Sequence, residues 1–171
     1  EMDLVSLFCA RAQAMGFRVT QSSPDTLGQT VAALVGGKKV IIEPSLSCRS
    51  DLERALAGQA ELLAPQTGDA AMFATDVGIT GVRAAVAETG TIVWSSGPDL
   101  WRGLSLIPPM HIAIVRREQI VPDLLDLFSD LPKTELSANT TLITGPSKTG
   151  DIEGILITGV HGPGEVHVIV L

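Results

Sequence analysis

The feature that most constrains this chain is the alternation in its first 64 residues, where helix-period and strand-period patterns follow one another with start and stop residues between them. Leu4, Leu7, Phe8 and Met15 fall at near-helical spacing, which predicts a helix over residues 3–15 stopped by Gly16. Residues 17–21 read as a short strand. Ser23 caps a second helix, with Pro24 at its first position and Asp25 suiting its dipole, and that helix ends before Gly36-Gly37. Residues 39–43 (KVIIE) read as a buried strand. Ser50 and Glu53 have capping-box spacing ahead of Leu52, Ala55 and Leu56, and residues 61–64 give another strand. Such alternation favours an α/β fold with a mostly parallel sheet and helices on both faces, and the crossovers are too few for a barrel. With 171 residues, the chain reads as one domain over residues 1–171, large enough to bury a core without a disulfide or a metal. That core must be aliphatic, because aromatic residues make up 4% and tyrosine is absent.

From residue 73 the texture becomes β-rich. Residues 82–87 and 91–95 read as strands around the turn Glu88-Thr89-Gly90, which makes a hairpin; a helix through residues 82–88 is the competing reading. Residues 100–106 suggest a short helix before Pro108-Pro109. Residues 111–115 (HIAIV) are a strong strand, and a helix near Pro122 carries Leu124, Leu125 and Phe128. Residues 140–144 form a strand that enters the loop 145–150, and residues 165–171 (EVHVIVL) close the chain as a strand after Gly162-Pro163-Gly164.

Charge narrows the function classes. Twelve Lys and Arg against nineteen Asp and Glu leave a net charge of −7. Phosphate neutralisation supplies most non-specific nucleic-acid affinity, so an acidic chain without a basic block is a poor binder of nucleic acid. The acidic start Glu1-Met2-Asp3 lacks the basic region of a signal peptide, and no run of 18 apolar residues offers a membrane span. Cys9 and Cys48 are the only cysteines and form no CxxC pair, so no iron–sulfur or zinc framework is expected in this chain. They read as reduced thiols of a cytoplasmic protein.

Three motifs fail on inspection. Residues 145–151 (GPSKTGD) suggest a phosphate loop, but Asp151 and Ile152 stand where the P-loop has Lys and Ser/Thr. The GPG of residues 162–164 starts a dinucleotide fingerprint, but His167 takes the place of its third glycine and no helix follows. His161 and His167 invite a metal reading with His111, but no carboxylate lies at a helical ligand spacing from either, so no metal site is expected.

Other candidates carry plausible chemistry. Gly145, Ser147, Lys148 and Thr149 offer backbone and side-chain donors that could cradle an anion, the plain alternative being a solvated turn. Glu88, at a strand end, could act as nucleophile or general base, or bond to the turn backbone. Asp76 is a loop cap or a catalytic acid. His161, beside a glycine, could titrate at a ligand, and His167 could do so from its strand. Asp151 and Glu153, two apart, cannot share a helix face as a carboxylate pair. Trp94 and Trp101 read as core or pocket wall.

Four stretches together resemble one family: residues 75–91 (TDVGITGVRAAVAETGT), 106–115 (LIPPMHIAIV), 144–153 (TGPSKTGDIE) and 159–171 (GVHGPGEVHVIVL). In order and spacing they are similar to the lactate-utilisation (LUD) domain family, over residues 73–171 closely and over the first 70 in outline. The resemblance implies a sheet of the sugar-isomerase and coenzyme-A-transferase type with a β-rich C-terminal portion. It also implies a part in L-lactate oxidation to pyruvate, beside iron–sulfur partner proteins that would hold the clusters, this chain binding no cofactor itself. Carried over by motif, the site residues it implies are Asp76, Glu88, Thr89, Gly90, Ser147, Lys148, Asp151, Glu153, His161 and His167. Lys148 stands where relatives usually carry Arg, which loses a bidentate fork, and Gly150 where they carry Ala.

Three functions follow as expectations. The first is a cytoplasmic, non-cluster component of a lactate-oxidising complex. The second is a self-sufficient enzyme of the coenzyme-A-transferase type, or a small-anion binder, using Glu88 and residues 145–150. The third is a non-catalytic scaffold. One fold hosts many chemistries, so the fold does not choose among them.

Overall fold

A computed structural model describes residues 3–64, 72–97, 102–129, 139–150 and 157–171. Helix α1 (Leu4–Ala14) starts where Asp3 Oδ1 accepts the backbone N–H groups of Val5 and Ser6 at 3.0 and 3.1 Å, and it stops before Gly16 as expected. Strand β1 (Arg18–Gln21) follows, then helix α2 (Pro24–Val35), whose start is tied by the Ser23 N–H donating to Thr26 Oγ1 at 3.1 Å. Strand β2 (Lys39–Ile42), helix α3 (Arg49–Leu56) and strand β3 (Glu61–Leu62) complete the alternating half. One expectation needs correction: Ser50 lies inside α3 rather than capping it. The Leu52 N–H already bonds the Cys48 carbonyl at 3.0 Å, and Glu53 takes the Arg49 side chain at 2.7 Å instead of closing a capping box.

The second half contributes strands to two sheets. Strands β4 (Val77–Gly81), β7 (Met110–Val115) and β12 (Glu165–Val170) join the first three in a wholly parallel sheet of order β1-β12-β7-β4-β2-β3. Strands β5 (Ala84–Val86), β6 (Thr91–Ser95), β8 (Ile120–Val121) and β9 (Thr140–Ile143) form a smaller, mixed sheet of order β8-β5-β6-β9. Residues 84–95 are thus the hairpin, Val86 opposite Thr91, and not the competing helix. Residues 102–105 form a 3-10 turn; residues 100 and 101, also assigned to that helix, lie outside the described residues. Helix α4 (Leu124–Ser129) buries Leu127, leaving Leu125 and Phe128 exposed. The loop 145–150 is partly strand: β10 (Lys148–Thr149) pairs antiparallel with β11 (Ile157–Thr158).

The period-2 alternation of the central strands divides the core. Ile112, Ile114 and Ile169 face α2 and α3, packing with Leu27, Val31, Leu52 and Leu56. Ala113, Val115, Val166, Val168 and Val170 face the other way, against α1 and the smaller sheet. Helices do cover both faces, but on one of them α1 shares the work with that second sheet. Burial on both sides explains the near-continuous aliphatic runs of β2, β7 and β12.

Candidate functional site

The main sheet reverses its direction of growth between β2 and β4. From β2 the chain crosses through α3 to β3 on one side; from β4 it proceeds to β7 and then β12 on the other. Right-handed crossovers send these connections to opposite faces, so the carboxyl ends of β2 and β4 part and leave a crevice, the usual ligand position in open α/β sheets. A cleft of about 560 Å³ occupies this position. Its walls include Glu43, Ser47, Cys48, Arg83, Trp94 and Arg116.

Glu43 is the first residue after β2. Its N–H continues the ladder to the Ile79 carbonyl at 2.9 Å, and its side chain folds toward β4, where Oε2 accepts the Gly81 N–H at 2.7 Å. The residue is only 3% exposed, and Oε1 has no partner among the described residues. Burial pushes its carboxyl above the usual 4.5, the Gly81 bond opposing in part. A buried carboxyl with one unpaired oxygen is unusual enough to need a reason.

The cationic wall follows β7. The Arg116 backbone N–H donates to Gln119 Oε1 at 2.9 Å, and Gln119 Nε2 donates to the Val82 carbonyl at 2.6 Å, which ties the end of β7 to the segment after β4. The Arg116 guanidinium donates to Ser47 Oγ across the cleft mouth. Arg83, held by its N–H on the Val93 carbonyl at 2.8 Å, adds a second exposed guanidinium. Asp51 is the opposing charge and is paired with Arg54 at 2.8 Å. Burial raises the Cys48 thiol, keeping it neutral. Trp94, 2% exposed, is a pocket wall, as its sequence position suggested. Two guanidiniums beside a buried acid suit a small carboxylate or phosphate.

The residues singled out from sequence lie elsewhere. Asp76 is at the amino end of β4, where Oδ2 accepts the Lys39 N–H at 2.8 Å, a loop-capping role. Glu88 is exposed, its N–H bonded to the Pro122 carbonyl at 3.0 Å. Thr89 joins a hydroxyl chain through Thr91 to Thr144, with spacings of 2.7 and 2.8 Å. Gly90 (φ +64°) lies so close to α1 that a Cβ there would meet the Ala12 backbone, and Gly145 abuts the Met15 carbonyl. The Ser147 N–H is engaged by the Pro163 carbonyl at 2.9 Å, while Lys148 and Thr149 stand in the β10–β11 ladder. His161 is exposed in the turn before β12. His167 is 4% exposed and bonded to Glu165 at 2.6 Å, Glu165 also taking Arg18 at 2.8 Å. The turn 159–164 and loop 145–149 therefore meet at the amino edge of the sheet, opposite the cleft. Asp151 and Glu153 lie outside the described residues. No group of three His, Cys, Asp or Glu positioned to hold a metal occurs among the described residues.

Sequence reasoning missed Glu43, Arg83 and Arg116. The available signal was positional: a carboxylate ending KVIIE and an arginine following HIAIV are charged residues at the carboxyl ends of buried parallel strands, where open α/β sheets place ligands.

Comparison with known proteins places this geometry in a family. A family model described as the LUD domain matches residues 5–171. The chain is 42% identical to lactate utilization protein C of Bacillus subtilis over 94 residues, which are 52% of this chain and 39% of that protein. With the protein of that name from Anoxybacillus flavithermus, identity is 28% over 176 residues, covering 99% of this chain and 80% of the relative. A crystal structure of a DUF162 family protein from Deinococcus radiodurans superposes with a TM-score of 0.70 at 25% identity, covering 98% of this chain and 95% of that one. Several of the matches thus span only about half of the relative's length, or less. The domain match, by contrast, runs through the alternating first half as well as the motif-bearing second, and the chain belongs to the LUD domain family.

Proposed function

We propose that this chain is the non-cluster component of an L-lactate to pyruvate oxidation system, working beside iron–sulfur partner proteins and holding the substrate or product carboxylate in the cleft between β2 and β4. The observation that carries the reading is the convergence of Arg83, Arg116 and buried Glu43 on the crevice at the sheet's reversal point. The relatives' name, lactate utilization protein C, supplies the substrate class. Oxidising a 2-hydroxy acid removes two electrons as well as protons, and this reading assigns the electron-carrying groups to the partners. The part of this chain is to fix the acid: guanidinium forks hold the carboxylate, and Trp94 walls the site. Lactate fills only part of the cleft, so room remains for a partner segment or a larger anion.

Calorimetric titration with L-lactate and pyruvate tests the reading. A charge-assisted bidentate contact contributes about 1.5–3 kcal/mol, so Arg116→Gln should weaken binding by about 10- to 150-fold. Unchanged affinity in that variant would remove the cleft from the function. Lost affinity in Lys148→Ala instead would move the site to the 145–150 loop. Lactate turnover by the chain alone would overturn the division of labour with partners.

A further inference from the structure

Two guanidiniums line the cleft, and neither Arg83 nor Arg116 has a carboxylate partner among the described residues, although the chain carries nineteen Asp and Glu against twelve Lys and Arg. The carboxyls that share the cleft are engaged elsewhere: Asp51 takes Arg54 at 2.8 Å, and Glu43 takes the Gly81 N–H at 2.7 Å. Two cations left unanswered in an acidic chain point to anionic groups on a ligand.

The backbone anchors the two arginines on different walls. The segments after β4 and β7 run side by side, paired at Gly81 and Ile114 in the main sheet and again at Ala85 and Ile120 in the smaller one. Between these ties Gln119 spans the two segments, accepting the Arg116 N–H at 2.9 Å and donating to the Val82 carbonyl at 2.6 Å. The Arg116 guanidinium reaches Ser47, on the β2 side of the mouth, whereas Arg83 is held by its N–H on the carbonyl of Val93 in β6, the residue before Trp94. The cleft of about 560 Å³ lies within the range of about 300–1,000 Å³ that encloses drug-sized ligands, far more than a three-carbon acid fills.

We propose that the cleft is a two-point anion site, Arg116 holding the carboxylate of a 2-hydroxy or 2-oxo acid and Arg83 a second anionic group, carboxylate or phosphate, on the same molecule. The proposal rests on the cleft being the carboxylate site and names the class of acid it prefers. An acid with one anionic group leaves a guanidinium unanswered. An acid with two answers both and bridges the walls that Gln119 ties together. Each group gains a charge-assisted contact on a frame that is set before the ligand arrives.

Calorimetric titration at constant ionic strength compares L-lactate with L-malate and 3-phosphoglycerate, 2-hydroxy acids that add a second carboxylate or a phosphate. The proteins are wild type, Arg83→Gln, Arg83→Lys and Arg116→Gln. Wild type should bind at least one of the doubly anionic acids about 10- to 150-fold more tightly than lactate. The tighter of the two identifies the second group. Arg83→Gln should cost that acid more than it costs lactate and bring the ratio of affinities close to one. Arg83→Lys should retain part of the ratio, because it keeps the charge and loses the fork. Arg116→Gln should weaken all three acids. No preference in wild type, or a preference that survives Arg83→Gln, overturns the proposal. If Arg116→Gln still weakens lactate in that case, the carboxylate site itself stands. Tight binding of a doubly anionic acid without measurable lactate binding upholds the proposal and removes lactate from the proposed function. Absence of binding of all three acids by wild type overturns the site and the proposal together.

Discussion

Glu43 and His111 are buried titratable groups, each with one polar atom unpartnered among the described residues, and they move stability with pH in opposite senses. Burial raises Glu43, so above its unfolded value near 4.5 the folded chain retains a proton that the unfolded chain releases, and stability falls as pH rises toward the folded pKa. Glu43→Gln has no such linkage. Its melting temperature relative to wild type should therefore climb from about pH 4.5 upward and level off above the folded pKa; a constant difference would mean that Glu43 is not held neutral. Burial holds His111 down from 6.5 to about 4, its Nε2 lying 2.9 Å from Thr80 Oγ1. Below pH 6.5 the unfolded chain takes up a proton that the folded chain refuses, so stability falls as pH drops toward about 4. His111→Gln should flatten that acid limb in melts between pH 4 and 6.5, whatever its effect on stability at neutral pH. Neither property was legible in sequence. The partner of Glu43 is 38 positions away, and His111 shares its bond with a residue 31 positions away, so both roles arise only when β4 pairs with β2 and β7.

Elements were legible where a local signal fixes them. Gly16 and Pro24 mark the end of α1 and the start of α2 because caps and stops act within one turn of the chain. Ser50 misled because its spacing to Glu53 matches a capping box, while the turn that carries the Leu46 carbonyl to the Arg49 N–H starts α3 earlier. Residues 82–88 were ambiguous because small residues satisfy either period; their pairing with β6 and β8 decides for strand. The small size of the turn serves docking on α1, and this leads to a prediction with its own control. Gly90 and Gly37 both have positive φ, +64° and +72°, but a Cβ at Gly37 meets open space. Gly37→Ala should cost about 1–2 kcal/mol from backbone strain alone. Gly90→Ala adds overpacking against Ala12 of about 1–3 kcal/mol, for a total of about 2–5 kcal/mol. Urea denaturation of both variants checks the difference, and equal losses would show that the hairpin does not lean on α1.

At the scale of the whole molecule, the parallel α/β class was readable because alternation is a local pattern, whereas the order of the strands was not. Nothing near residues 165–170 says that β12 inserts between β1 and β7, since that choice is made by contacts across most of the chain. The cleft is a consequence of that order, which is why motif reading pointed to loops at the opposite edge. Because the cleft joins the ends of β2, β4 and β7, a ligand seated there should stabilise the fold as a unit. Anything that binds only the folded state adds RT ln(1 + [L]/Kd), about 2.7 kcal/mol at a hundredfold excess over Kd. For a chain of this length each kcal/mol moves Tm by about 2–4 °C, so saturating L-lactate or pyruvate should raise wild-type Tm by about 5–11 °C. The shift should grow with the logarithm of concentration, as mass action requires and a general salt effect does not. Arg116→Gln, with its affinity lowered about 10- to 150-fold, should need correspondingly more ligand for the same shift, and Arg116→Lys should fall between the two because it keeps the charge and loses the fork. Sodium chloride at equal ionic strength separates screening from binding. An equal rise in wild type and Arg116→Gln would show that the acid stabilises the chain from somewhere other than the cleft.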